Sequence, residues 1–381
     1  MNDNTMLEYY IGLMSGTSID SVDAALVGFK NNEITIIASH EHPIPTELRE
    51  NVISLCETGD DEINRAGVVD RELGALFAEA ALALVATSDI ERKAVVAIGS
   101  HGQTIRHHPT TKTTPSKHAF TLQIGDPNTI AAHTGITTVA DFRRMDIALG
   151  GQGAPLAPVF HKAFFSSQQH HTAVINIGGI ANITYLPFNG EALGFDCGPG
   201  NGLMDLWIQR HQGSNFDKNG AWASQGNCHQ ELLSLLMNED YLSWTPPKST
   251  GRELFNGKWL DQKLSQVTES SPVDIQATLL EFTARVIQNH LEQLPETIAD
   301  IFLCGGGAHN KSLVNRLQKL MTPAIVTDTS SFGIDPEWVE AAAFAWLARQ
   351  TLSNLPGNLP GVTGASSRAI LGAIYPGISK I

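Results

Sequence analysis

The stretch from Ile11 to Leu26, Ile-Gly-Leu-Met-Ser-Gly-Thr-Ser-Ile-Asp-Ser-Val-Asp-Ala-Ala-Leu, constrains this chain more than any other. Its apolar ends have strand character, and Gly, Ser and Thr between them make a polar turn. One reading is a plain β-hairpin. The other is a turn that meets an anion, because small residues let the backbone approach a phosphate and hydroxyls donate to it. Asp20 and Asp23 then need a reason, since a carboxylate repels bare phosphate. A metal ion or a reacting hydroxyl nearby would supply one.

The chain has 381 residues, enough for two domains or one large one. Its 42% hydrophobic and 17% charged content is that of an ordinary globular protein. A formal charge of −14 argues against a nucleic-acid partner, which needs a basic footprint. It leaves room for one nucleotide, held by a glycine-rich site, a metal ion and backbone amides. Cys56, Cys197, Cys228 and Cys304 are scattered, with no C-x-x-C pair, and read as buried thiols of a reducing compartment. No signal peptide is expected, and no apolar run approaches the ~20 residues of a membrane span, so a cytoplasmic protein with no membrane partner is expected. The histidines include His107-His108 and His170-His171, in polar loops. None has H-x-x-x-H or H-E-x-x-H spacing, so a histidine metal site is not expected.

Strand-like segments fall at 9–14, 24–29, 34–40, 94–99, 172–177, 183–187 and 301–304. Helical patterns lie between them: 62–86 is rich in Ala, Leu and Glu, and 279–294 carries apolar residues at helical spacing. Asp335-Pro336 has the form of an N-cap with proline at the first helical position, which predicts a helix through Leu352. The alternation indicates an α/β protein. A Gly/Pro-dense seam at 141–158 and a second break at 353–364 divide it into 1–145 plus 358–381 and 146–357. The apolar tail 369–375 is placed to return to the first domain as a helix or strand.

Two more strand-plus-glycine motifs accompany the first. Val174-Ile-Asn-Ile-Gly-Gly-Ile-Ala-Asn-Ile-Thr-Tyr-Leu186 is a strand, a double glycine (Gly178, Gly179) and a strand containing Asn182. Ile301-Phe-Leu-Cys-Gly-Gly-Gly307 is a strand and three glycines (Gly305, Gly306, Gly307), followed by a helical pattern. There a flat base or ribose could lie against bare backbone. None fits G-x-x-x-x-G-K-[ST] or G-x-G-x-x-G, which disfavours P-loop and Rossmann readings. In Gly194-Phe-Asp-Cys-Gly-Pro-Gly-Asn-Gly-Leu-Met-Asp205, Asp196 ends a strand before a Gly-Pro-Gly turn, and Asn201 can cap the next helix. Asp196 is placed as a base in a cleft, or as an Asx-turn residue accepting amides. His101, Arg143 and Glu340 are weaker candidates, with structural readings open for each. The polar loop 248–256 suggests no role.

Together, G-L-M-S-G-T-S-x-D-x-x-D, I-N-I-G-G-I-A-N-I, F-D-C-G-P-G-N-x-L-M-D and C-G-G-G-A-x-N resemble the anhydro-N-acetylmuramic acid kinase family, from Ile11 to about Leu371. The glycine motifs are also similar to those of the sugar kinase, Hsp70 and actin superfamily. The resemblance implies two ribonuclease-H-like domains flanking an ATP cleft. It implies that ATP and water convert 1,6-anhydro-N-acetylmuramic acid to N-acetylmuramic acid 6-phosphate, in peptidoglycan recycling. By motif, Gly16, Thr17, Ser18, Ile19, Asp20, Ser21, Val22 and Asp23 would bind the ATP phosphates, with Gly178, Gly179, Asn182, Gly305, Gly306 and Gly307 completing the nucleotide site. Asp20 would hold Mg²⁺, directly or through water, and Asp196 would be the catalytic base. Arg143, Glu340 and His101 would lie near the sugar. A homodimer is also implied. Ser21 departs from a position where the family often has glycine, which fits if its φ is negative.

Overall fold

The computed structural model describes residues 6–16, 18–31, 33–110, 114–246, 248–251, 254–268 and 270–378. Among these, the strands in chain order are β1 Glu8–Met14, β2 Ser21–Lys30, β3 Glu33–Pro43, β4 Val95–Ser100, β5 Gln103–His108, β6 Phe120–Ile124, β7 Thr138–Ala140, β8 Thr172–Ile177, β9 Ile180–Leu186, β10 Leu193–Pro199, β11 Asp300–Cys304, β12 Ile325–Asp328 and β13 Ala373–Tyr375. The helices needed below are α1 Thr46–Leu55, α2 Glu62–Ala86, α3 Ala157–Phe165, α4 Gly202–Gln212, α5 Pro272–Glu292, α6 Lys311–Met321 and α7 Val339–Leu352. The chain divides into two compact units, 1–164 with 338–381, and 165–337. No helix among the described residues is long and apolar enough to cross a membrane.

The first unit carries a sheet in the order β13-β7-β4-β1-β2-β3. β1, β2 and β3 form an antiparallel meander, β4 and β7 lie parallel to β1, and β13 closes the far edge antiparallel. The apolar tail thus returns as a strand. One face is covered by α1 and α2, which bury Leu48, Val52, Leu73, Phe77 and Leu84 against Ile11, Leu13 and Leu26. α7 takes the other face through glycines: a Cβ on Gly12 would lie 1.7 Å from Ala341 O, and one on Gly99 would lie 2.0 Å from Phe344 O. Helix backbone therefore rests directly on strand backbone.

The second unit carries the order β10-β9-β8-β11-β12, with β8, β9 and β10 antiparallel and β11 and β12 parallel to β8. α5 supplies Leu279, Phe282, Val286 and Ile287 to its core, against Ile175, Ile183, Phe195 and Leu303. The helix starts earlier than its apolar spacing announces, because Ser271 Oγ accepts from Asp274 N and Pro272 fills the first position.

The unit boundaries differ from the expected 145/146 and 357/358. α3 and α7 belong to the first unit because Phe160 and Phe164 pack on Trp346, and Phe164 also packs on Phe29. The expected seam at 141–158 holds a short helix, Arg144–Ala148, whose buried Asp146 carboxylate accepts from Gly153 N, Asn358 Nδ2 and Thr363 Oγ1. The helix expected from Pro336 also starts differently. Residues 336–338 form a 3₁₀ turn, Asp335 Oδ1 accepts from Glu337 N at 3.0 Å, and α7 begins only at Val339.

Gly12→Ala should destabilise the protein by about 3 kcal/mol, the upper range of core overpacking. Gly16→Ala, whose Cβ would enter open space, should change stability by less than about 0.5 kcal/mol. Urea unfolding of the two variants checks this pair.

Candidate active site

In the first unit the candidate site forms where β1 and β4 end. The β1–β2 turn is fixed from within. Ile19 adopts φ +57°, a left-handed conformation that β-branched residues rarely take. Its side chain and that of Val22 are buried in the core. Ile19 N donates to Gly16 O at 3.3 Å, and Ile44 N donates to Asp20 O at 2.9 Å. From α1, Arg49 Nη2 donates to Ser18 O at 3.0 Å, and Nε lies 3.2 Å from Asp20 Oδ1. Ser21 Oγ donates to Asp23 Oδ1 at 3.1 Å.

This sorts the expected phosphate-binding run. Ile19 and Val22 can offer only backbone, since their side chains are committed to the core. Gly16 faces open space. The positive φ falls on Ile19 and not on Ser21, so the serine is accommodated. Asp20 is exposed and already has a guanidinium beside it. Thr17 lies outside the described residues. The hydroxyls of Ser15, in the opening motif, and Ser100, at the end of β4, are fully buried without a hydrogen-bond partner. Leu13 pairs with Ser100 across β1 and β4, which puts both serines at the same sheet end. Such orphans are rare and call for a ligand or water.

His101, Arg143 and Glu340 come together. Arg143 donates from Nε and Nη2 to His101 Nε2, at 3.1 and 2.9 Å, and from Nη1 to Gly153 O at 2.7 Å. Guanidinium only donates, so Nε2 must accept and the imidazole proton sits on Nδ1, which donates to Gly102 O at 2.8 Å. Burial, reinforced by the Arg143 charge, holds His101 well below its ordinary pKa. Burial also pulls Arg143 down to about 10, opposed by the charges of Glu340 and Asp146. The His101 ring packs 4.8 Å from Phe344 on α7, the helix whose first turn carries Glu340. Behind Arg143, the buried Asp146 carboxylate accepts from Gly153 N (2.8 Å), Asn358 Nδ2 (2.8 Å) and Thr363 Oγ1 (2.7 Å). It shapes the loop whose carbonyl Arg143 holds.

In the second unit, three glycine segments meet. Gly200 N and Gly202 N donate to Gly179 O at 3.0 and 3.1 Å, and Asn201 N donates to Gly178 O at 2.7 Å. A Cβ on Gly200 would lie 2.2 Å from Gly178 O, and one on Gly307 would lie 2.3 Å from Ile177 Cγ2. Gly305, at φ +76°, would place its Cβ 2.3 Å from Asn176 Oδ1. By contrast, Cβ atoms on Gly179 and Gly306 would project into nearly open space. Asn201 does not cap α4 as expected. Its Nδ2 donates to Ile177 O at 3.2 Å, leaving the first turn of α4 without a side-chain cap. The glycines 305–307 lead into a 3₁₀ turn, and α6 starts at Lys311, capped by Asn310.

Asp196 lies on β10, opposite Asn182, which in turn pairs with Asn176. Its Oδ2 accepts from Thr250 N at 3.1 Å, its N donates to Lys248 O at 3.2 Å, and its carbonyl accepts from the Tyr241 hydroxyl at 2.8 Å. Residues 248–250, in the polar segment for which the sequence suggests no role, therefore hold the candidate base. Thr250 Oγ1 is itself buried and without a partner. Among the described residues, the one group of three side chains able to share a metal ion is His309, Asp335 and Glu337, all exposed, and Asp20 is not part of it.

Each unit is thus an α/β fold with glycine-lined turns and polar side chains at the ends of its central strands. A family model for anhydro-N-acetylmuramic acid kinase matches residues 8–377. An anhydro-N-acetylmuramic acid kinase of Shewanella pealeana is 53% identical over 99% of this chain and 100% of its own. That of Coxiella burnetii is 53% identical over 97% and 98%. The chain belongs to the anhydro-N-acetylmuramic acid kinase family. Among solved structures, the activator of the 2-hydroxyisocaproyl-CoA dehydratase from Clostridium difficile shares 14% identity at a TM-score of 0.45, over 91% of this chain and 98% of that one. That likeness is too low to carry an argument.

The neutral His101 has a consequence for stability. Its folded-state pKa is depressed, so the unfolded chain binds a proton that the native state refuses. The stability difference between wild type and His101→Gln should therefore be constant above the unfolded pKa of about 6.5 and should shift against wild type as pH falls below it. Urea midpoints of both proteins between pH 7.5 and 4.5 test this.

Proposed function

We propose that this chain performs the family's reaction: ATP-dependent, hydrolytic opening of 1,6-anhydro-N-acetylmuramic acid, with phosphorylation of O6, giving N-acetylmuramic acid 6-phosphate and ADP in peptidoglycan recycling. The observation that carries this reading is Asp196. It is a half-buried carboxylate fixed by the Thr250 amide, beside an unpartnered Thr250 hydroxyl, on the strand that leads into the glycine-lined turns. The shared strand order of the two sheets supports a ribonuclease-H-like reading of each unit.

Gly178, Gly179 and Gly305–Gly307 suit a nucleotide because bare backbone lines the turn, and side chains at Gly179 and Gly306 would fill the space a ligand needs. Asn182 extends this polar surface along the row to Asp196. In the first unit, the turn 16–23 would bind phosphate through backbone amides and the Ser18 hydroxyl. Asp20 offers hard oxygen donors suited to Mg²⁺, which would neutralise phosphate charge when bound. Arg143, kept in place by His101 and Gly153, would meet an anionic or strongly polar group of the sugar, and Glu340 would accept from its hydroxyls.

Opening the anhydro ring breaks the C1–O6 acetal bond. A glycosidase uses one carboxyl group to activate water and another to protonate the leaving oxygen. Here O6 leaves C1 and forms its new bond to the γ-phosphorus, so phosphorus takes the place of the proton. Asp196 alone then suffices, taking the proton of the water that attacks C1. An oxocarbenium-like C1 needs only weak activation of that water.

Asp196→Asn should lower turnover by about 10³-fold, the range for loss of a general base, with ATP affinity unchanged. With H₂¹⁸O, label should enter C1 and not the phosphoryl group. NMR should show the α-anomer first if water attacks the face opposite O6. Full activity of Asp196→Asn would sink the assignment.

A further inference from the structure

Lys248 is the outlier of the second unit: a lysine only 7% exposed. Its Nζ donates to Tyr241 O at 3.2 Å, Leu242 O at 3.4 Å and His290 Nε2 at 2.7 Å, and lies 4.7 Å from the Tyr241 ring centre. His290 Nδ1 donates to Val286 O at 2.8 Å, which leaves Nε2 as the acceptor. All three ammonium protons are therefore used. A buried cation without a carboxylate hydrogen-bonded to it is costly, and desolvation draws its pKa down to about 8.

The same residue is joined to Asp196 on two sides. Its carbonyl accepts from Asp196 N, and two residues on, Thr250 N donates to the Asp196 carboxylate. Its ammonium grips the Tyr241 carbonyl, while the Tyr241 hydroxyl donates to Asp196 O. β10 is an edge strand of its sheet, so residues 248–250 run along an otherwise open edge. Four titratable groups face the ammonium: Asp196 and Cys197 from β10, His290 from α5, and Tyr241 from the 240–243 turn. Burial pushes the Cys197 thiol up to about 12, and burial lowers His290, so neither carries charge near neutral pH. Asp196 is the one carboxyl group of the four.

We propose that Lys248 is a positioning residue for Asp196: it pins residues 248–250 against β10 and supplies the positive charge that favours the ionised carboxylate. The inference rests on the reading of Asp196 as the base.

The test is the pH profile of kcat, with KM for ATP, in wild type, Lys248→Gln, Lys248→Met, Lys248→Arg and Asp196→Asn. Lys248→Gln keeps two amide donors without the charge, and Lys248→Met is an apolar side chain of similar length, the kind of replacement that buried ions often tolerate. Both neutral variants should move the acid limb of kcat upward by about one pH unit, the scale of a lost nearby charge. Each should also lower kcat about tenfold, less than the ~10²-fold loss at the weak end of removing a general base outright. KM for ATP should stay unchanged, and Lys248→Arg should restore the limb. A neutral variant that folds and keeps the wild-type limb overturns the proposal, even if its melting temperature drops. If Asp196→Asn is inactive while both neutral variants behave as wild type, the Lys248 role alone fails. If Asp196→Asn is fully active, the base reading fails and takes this inference with it.

Discussion

The missing side chains at Gly12 and Gly99 decide how the first unit is built. A helix normally packs on a sheet through a layer of side chains. Here α7 lies with backbone against backbone, because a Cβ on either glycine would collide with Ala341 O or Phe344 O. That proximity brings the first turn of α7, with Glu340, down to the level where β1 and β4 end. It also brings Phe344 against His101. Few degrees of freedom remain, so Arg143 meets an imidazole whose tautomer, orientation and neutrality are already set. The chemistry of the site follows from a packing constraint.

The second unit uses the same device on loops. Gly200, Gly202, Gly305 and Gly307 remove the side chains that would hold the β8–β9 turn, the start of α4 and the end of β11 apart. Glycine costs conformational entropy, and that cost is accepted where backbone atoms must meet. The outward positions, Gly179 and Gly306, answer to no such neighbour. Their smallness has no packing neighbour to explain it, which agrees with the proposed nucleotide contact better than Gly200 or Gly307 does.

Patterns carried by local sequence were legible. The helix 62–86 and the strand 172–177 emerged at the expected bounds, and the three strand–glycine segments all fell at strand ends. What depends on distant partners was not legible. Residues 141–158 read as a seam between domains because they are rich in Gly and Pro, yet the short helix within them carries buried Asp146, which accepts from Asn358 and Thr363. Asn201 had the composition of an N-cap but found a better acceptor in Ile177 O. Arg49 beside Asp20, and Lys248 and Thr250 beside Asp196, arise from pairings that no periodicity encodes. Ile19 belongs to the expected phosphate turn, but its buried β-branched side chain at positive φ serves the core first.

Satisfied and unsatisfied polar atoms separate scaffold from site. Asp146 is fully buried, yet three donors hold it, so its cost is offset within the protein and it has nothing left to offer a substrate. Ser15, Ser100 and Thr250 are the reverse. They bury hydroxyls with no partner, at a penalty of about 1–3 kcal/mol each. A fold can discard such a penalty by mutation to alanine or valine unless something compensates it. Each of the three sits beside residues whose geometry is otherwise fixed: the β1–β2 turn, His101 and Asp196. A bound substrate offers hydroxyl, phosphoryl and water oxygens, the partners these groups lack. On the proposed reading, the Ser15, Ser100 and Thr250 hydroxyls would face the ligand, with Asp146 and Lys248 as support; Thr110 and Thr329 also bury unpartnered hydroxyls, so an orphan alone does not make a site.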